Sequence, residues 1–386
     1  MKATCVLGVA LALALAAPST AGADDGQAFL AIFAETTQMR MAGMPEIPEM
    51  PEFPADLKLP AGAKLPGGMG GALQGFGRPA RKLSVRLWSP GIAPEHATAA
   101  LAIPEGLKLG AKLDLQLYRP KPGQVEEGGD GPNGAASGEF TIKRYWGSSP
   151  TVKDGQPEIM DLKGLTPEQQ KAVRAQARQG RAAASYFYQP DWTTGYWPTD
   201  EQPGHIARDA ELAGHYALTT SYTGQIAIDV PDSIGFLDAI ALSSPDLKEA
   251  VSLDKPIALR WRAIPGALGL HARIMGMLGR NTLILWESSE VRGDPGLRDD
   301  FMQMAEVRDL VAKTIFMPGS AVEVTVPIGI FKDCDMVFMQ MVGYGPGTAL
   351  ASGQPLPRVQ TKTSLQVMLG GKRMADLSGA GDEGAE

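Results

Sequence analysis

Four histidines, His96, His205, His215 and His271, are the chain's main candidates for acid, base or metal chemistry, and none stands in a pattern that performs it. No His-Glu-x-x-His pair places two imidazoles on one helix face for zinc, and no Cys/His cluster has ligand spacing. There is no Gly-x-Ser-x-Gly elbow, phosphate loop or dinucleotide fingerprint. A spatial triad needs no sequence motif, so only the motif-bearing enzyme classes are removed. His205, Asp209 and His215 could meet around a metal if their segment folded back, or they could be ordinary surface residues. Of the two cysteines, Cys5 lies in the N-terminal leader, and Cys334 stands between Asp333 and Asp335, whose charges oppose a thiolate. No disulfide framework and no cofactor are expected.

Two clusters remain. Met39, Met41, Met44 and Met50 gather thioethers, which suit Cu(I), although the same side chain is also a flexible apolar filler. Tyr186, Phe187, Tyr188, Trp192, Tyr196 and Trp197 concentrate aromatic mass in a chain that is only 6% aromatic. Upstream, Lys171, Arg174, Arg178 and Arg181 recur three and four residues apart along one face of an expected helix. Rings beside cations can hold a polysaccharide, an anionic glycolipid or an apolar partner surface. The plainer alternatives are an ordered linker and a solvated basic face.

The segments that must position these groups differ in texture. Lys2, the uncharged apolar run Val6–Ala17, Pro18 and the small-residue site Ala21-Gly22-Ala23 read as a signal peptide over 1–23, cleaved before Asp24. The run is too short to span a bilayer's core of about 30 Å, and no later stretch is longer, so no transmembrane segment is expected in the mature chain. Residues 24–80 read as an extended arm rich in Pro, Gly and Met. Inside it, Met44 to Phe53 repeats an apolar-Pro-Glu triplet. A polyproline II helix turns once every three residues, so Met44, Ile47, Met50 and Phe53 share one edge and Glu46, Glu49 and Glu52 another. The arm is either a stiff spacer or a peptide ligand for a partner or for this protein's own sandwich.

From Lys82, period-2 alternation separated by Pro and Gly turns signals antiparallel β-structure: Leu83/Val85/Leu87, Ala99/Leu101/Ile103, Leu113/Leu115/Leu117 and Phe140/Ile142. The expected fold is mainly β, with two immunoglobulin-like antiparallel β-sandwich domains, a helical linker and one inserted helix. The boundaries are a first β domain at 81–163, a helical and aromatic linker at 164–214 with a helix opening at Thr166-Pro167-Glu168, a second β domain at 215–374 and an acidic tail at 375–386 expected to be disordered. Asp294-Pro295 opens the inserted helix, over 294–313, with Leu297, Phe301, Met304, Val307 and Val311 at helical spacing.

The second β domain holds the most informative stretch. Ile257, Leu259 and Trp261 alternate, Pro265-Gly266-Ala267 turns the chain, and Leu270, Ala272 and Ile274 resume the alternation. This resembles fibronectin type III modules, in which a strand ending in Trp is followed by such a turn and a strand opening with a core aromatic. Leu270 takes the aromatic's place, and the resemblance implies an immunoglobulin-like sandwich with no functional residue to transfer. The formal net charge of −7, with Lys2 still counted, argues against general nucleic-acid or anionic-membrane binding. The sequence therefore points to a non-catalytic extracytoplasmic binding or structural protein of the bacterial cell envelope, periplasmic, envelope-associated or secreted. Its expected partners are an envelope component or protein, or a polysaccharide or glycolipid.

Overall fold

The structure is a computed structural model that describes residues 28–44, 77–119, 140–161, 191–199, 202, 204, 206–293, 301–349 and 358–372. The leader, the expected helix from Thr166, most of the arm and the acidic tail lie outside the described residues.

Phe29-Leu30-Ala31-Ile32-Phe33-Ala34 is apolar at every position, and an unbroken apolar run suits a strand covered on both faces. It opens β1 (Phe29–Met41), which pairs antiparallel with β2 (Ala80–Ser89) and parallel with β18 (Arg358–Gly370). The expected arm therefore holds, at 29–41, the strand from which the largest sheet is built. Reading for alternation missed it because a strand buried on both faces shows none.

That sheet has eleven strands. From one edge, β5 (Gln116–Tyr118), β8 (Thr193–Trp197) and β2 lead to β1, followed by β18, β17 (Met336–Ala349) and β13 (Gly269–Leu278). Next come β14 (Thr282–Glu287), β6 (Thr141–Trp146) and, at the far edge, β7 (Glu158–Asp161), while the short β15 (Met317–Pro318) pairs with the start of β13. A second sheet runs β10 (Gln225–Val230), β9 (Gly214–Thr220), β3 (Ala99–Ala102), β4 (Lys112–Asp114). A third runs β11 (Leu242–Ser244), β12 (Ile257–Trp261), β16 (Glu323–Val326).

Both small sheets cover the same face of the large one. Leu30, Ile32 and Ala34 share a core with Leu101, Tyr216, Leu218 and Val359. Leu365, Val367 and Leu369 share another with Leu259, Trp261, Val324 and Val326. Val359 and Leu365 are both odd-numbered residues of β18, so period-2 geometry sends them to one side. We call this the inner face.

The fold is mainly β, as expected, but the expected domain boundaries cut across it. β6 and β7, placed in the first domain by sequence, stand beside β14 through a parallel pairing, and β8, placed in the linker, pairs with β2. Alternation identifies strands and carries no information about which distant strand each one joins. The pairings β1–β18 and β14–β6 also depart from an all-antiparallel arrangement. Of the expected helix at 294–313, residues 294–300 lie outside the described residues and 301–303 are not helical. Among its described residues, α1 covers Met304–Ala312, because Gln303 is extended at φ −69° and ψ 145°. Phe301, expected on that helix, instead sets its ring 4.7 Å from Phe33.

Ile32 is fully buried between β1 and the second sheet. Ile32→Ala is expected to cost about 2–5 kcal/mol, read from the urea unfolding midpoint. Removing residues 24–80 as though they were a dispensable arm is expected to abolish cooperative unfolding altogether.

Candidate binding face

The other side of the large sheet, the outer face, collects residues scattered widely in sequence. Near the start of β1 it is aromatic and cationic. Trp192 stacks on Phe29 at 5.5 Å with planes 12° apart, and Trp88 and Phe33 complete the apolar patch. Next to Phe33 and Phe301 lie two basic groups from β18. The Arg358 guanidinium, 2% exposed, is 5.8 Å from the Phe33 ring centroid. The Lys362 ammonium, on a residue 8% exposed, is 4.4 Å from the Phe301 ring and 3.8 Å from a Glu35 carboxylate oxygen. Ring faces and one carboxylate thus offset part of the cost of burying these charges. Glu35 also accepts a hydrogen bond from Ser364 Oγ at 2.5 Å. Towards the β5 edge, Arg86 lies 5.8 Å over the Tyr196 ring, and burial lowers its pKa while Tyr196 opposes the shift.

Across the middle of β13, β14 and β6 runs an ion belt. Arg144, almost fully buried, reaches Glu158 Oε2 at 3.3 Å and Glu287 Oε2 at 3.6 Å, and donates to the Gly293 carbonyl at 2.9 Å. Arg273 approaches the other oxygen of Glu287 at 3.7 Å, and Arg292 Nε donates to Glu158 at 2.9 Å. Buried charges are tolerated when each finds a partner in this way. The belt fastens β6 and the short edge strand β7 to the rest of the sheet.

Beyond the belt, at the end where β1 and β18 finish, the outer face turns apolar. Register places Met41 beside Met368, Met368 beside Phe338, Phe338 beside Met275 and Met275 beside Leu285. A second row pairs Met336 with Met277, Met277 with Leu283, Leu283 with Ile142 and Ile142 with Met160. The two rows together cross seven strands, from β1 to β7. Their side chains are half-buried, except for Met336 at 43% exposure, and none belongs to any of the four apolar clusters among the described residues. Methionine and leucine in such an array form a broad, deformable apolar surface.

The residues singled out by sequence fare unequally. Lys171, Arg174, Arg178, Arg181, Tyr186, Tyr188 and Met50 lie outside the described residues. Trp192 and Tyr196 do reach the outer face, Trp192 stacked on Phe29 and Tyr196 beside a cation, but that cation is Arg86 of β2. Trp197, one position along β8, points to the inner face at 1% exposure, with Nε1 donating to Gln202 Oε1 at 3.2 Å. Met39 and Met41 alternate along the outer side of β1, where Met41 joins the apolar row, and Met44 follows at 47% exposure. His215 pairs with Asp229 at 2.7 Å and Asp209 with Lys108, while His205 lies outside the described residues. Among the described residues no three His, Cys, Asp or Glu side chains are grouped to hold a metal ion. Sequence reading missed Met160, Met275, Met277, Met336 and Met368. The available signal was β13, where Ile274-Met275-Gly276-Met277-Leu278 is apolar on both sides of the pleat.

Two outcomes follow. Trp197→Ala removes core volume and is expected to lower stability by about 3–5 kcal/mol in a denaturant titration, as for other buried tryptophans. The Cys334 thiol is 1% exposed, and burial, then Asp335 and Asp333, push its pKa up to about 11. At pH 8 a maleimide or disulfide reagent is therefore expected to label Cys334 only once denaturant unfolds the chain. Compared with known proteins, the chain matches no family model, no curated protein and no solved structure.

Proposed function

We propose that this is a non-catalytic extracytoplasmic protein of the bacterial cell envelope that binds or supports another surface through the outer face of its large sheet. The observation that carries this reading is the pair of apolar rows from Met41 to Leu285 and from Met336 to Met160. A monomeric protein seldom leaves so broad an apolar array without a partner. The charged belt of Arg273, Glu287 and Arg144 borders the first row and gives the surface a polar rim on that side, as binding patches have. Support for the address comes from the N-terminal charge, apolar run and Ala21-Gly22-Ala23 site. Among the described residues no helix is long and apolar enough to cross a membrane.

The immunoglobulin-like part of the reading concerns the second half of the chain. There β11-β12-β16 opposes β18-β17-β13-β14, and the Pro265-Gly266 turn carries the chain from β12 in one layer to β13 in the other. That order supports a fibronectin-like sandwich used as a binding module.

A second reading, glycan or glycolipid binding, is favoured by two aromatics on the same face, Trp192 stacked on Phe29 and Tyr196 beside Arg86. The two readings separate by mutation. In a pull-down from envelope extract, Met275→Glu with Phe338→Glu is expected to abolish a capture that the parent shows, with the circular dichroism spectrum unchanged. Equal capture by parent and variant, or none by either, defeats the proposal. Retention on a polysaccharide column that disappears in Trp192→Ala would select the glycan instead.

A further inference from the structure

We infer that the outer face binds Cu(I) where β18, β17 and β13 lie side by side, through the thioethers of Met275, Met277, Met336 and Met368. The inference goes beyond capture of a partner surface, since it gives this face a ligand of its own, a soft monovalent metal ion.

Register is the first argument. Met336 of β17 faces Met277 of β13 directly, and Phe338, two residues on, stands between Met275 of β13 and Met368 of β18. In an antiparallel pair the Cβ atoms of direct neighbours lie about 4.5–5.5 Å apart, and diagonal neighbours, about 7–8 Å apart, are still within reach of long side chains. Met336 is therefore the hub, with Met277 opposite it and Met275 and Met368 on its two diagonals. Each of these unbranched side chains has three rotatable bonds with which to swing its sulfur inward. Of the methionines grouped by sequence, Met41 adjoins the set, beside Met368, while Met39 lies next to Gln366.

The choice of side chain is the second. Across β14 and β6 the same rows are filled by Leu283, Leu285 and Ile142, which make an apolar surface without sulfur. On β18, β17 and β13 thioethers take their place, although methionine gives up more rotamer freedom on burial than leucine or isoleucine does. What sulfur adds is softness: a neutral, polarizable donor selects Cu(I) over the hard cations that carboxylates and carbonyls prefer. The Phe338 ring among the four sulfurs offers a face that also attracts a cation. Neighbouring cations do not oppose the ion, because Arg273 is turned to Glu287 and Arg144 to Glu158 and Glu287.

Access is the third. Met336 begins β17 at the rim of the sheet and, at 43%, is the most exposed of the four. Gly370 and Gly371 form the flank beside it and carry no side chain to cover it. A Cβ on Gly371 would stand 2.8 Å from the Met336 Cα and would also collide with the Asp335 carbonyl. Asp335, whose N–H donates to the Met277 carbonyl at 2.6 Å, brings a carboxylate to this mouth, and Asp333 there is offset by Lys372 at 3.3 Å.

The test uses the full chain with Cys5→Ser and Cys334→Ser, so that thioethers are its only sulfur. Cu(I) is supplied without oxygen as its coloured bicinchoninate complex, and loss of colour reports transfer. This parent is expected to draw Cu(I) from the chelator. Met277→Leu with Met336→Leu keeps the face apolar and nearly unchanged in volume, and is expected to weaken binding at least about tenfold. Met160→Leu, at the far end of the second row, should bind as the parent does. No transfer to the parent, or equal affinity in the double variant, overturns the inference. So does an equal loss in Met160→Leu, which would mark diffuse uptake by scattered methionines. X-ray absorption of the loaded parent should show sulfur neighbours alone, and nitrogen or oxygen in that shell overturns the thioether site. Where circular dichroism shows the double variant unfolded, Met336→Leu alone, at the exposed hub, decides by the same loss of affinity. Leucine keeps the surface apolar, so envelope capture should survive these variants, and either proposal can fail without the other.

Discussion

Everything else in this molecule hangs on the parallel pairing of β1 with β18. Eleven residues of β1, Ala31 to Met41, face Arg358 to Met368 in unbroken register. Along this seam the β5-β8-β2 flank meets the β17-β13-β14-β6-β7 flank, and without it the large sheet would part into two shorter sheets, each with a long unpaired edge strand of 13 residues. The seam joins residues more than 300 positions apart, so the chain must close a very long loop before the sheet can become continuous. Loop entropy of that kind slows folding much more than it lowers final stability.

The seam also explains why the two faces differ. On the inner side, small and branched residues of β1 and β18 fill the cores under the two smaller sheets. On the outer side the same strands carry Phe33, Glu35, Arg358, Lys362 and Ser364, a polar and aromatic set held by ring contacts and one carboxylate. One strand pair thus serves packing on one side and chemistry on the other, because successive side chains point opposite ways.

Part of this was legible in the residues. Leu83/Val85/Leu87, Ile257/Leu259/Trp261 and Leu270/Ala272/Ile274 alternate because each borders one core and one more polar side, and each forms the strand it announces. Leu113, Leu115 and Leu117 alternate too, yet Leu113 falls in β4 and Leu117 in β5, in different sheets, with Leu115 between them, since alternation does not record where a chain changes layer. β1 was hidden by being apolar on both faces and by the Pro-rich stretch that follows it. The outer rows were hidden more deeply: their members come from seven strands, and only the register brings them side by side. Trp192 and Trp197 looked equivalent in the sequence, but strand parity put one on the outer face and the other in the core.

The ion belt has a consequence at the rim of the sheet. A broad sheet with an apolar face is a template for further strands wherever an edge is long and bare, and stacking of such edges leads to fibres. Here the two edges are β5, with three residues, and β7, with four. β7 carries Glu158, already engaged by Arg144 and Arg292, and ends at Asp161. A strand arriving at that edge would find few ladder positions and a carboxylate committed elsewhere. The salt links that fasten β7 therefore also cap the growth of the sheet, and a chain that lost them would be at risk of polymerising from this edge.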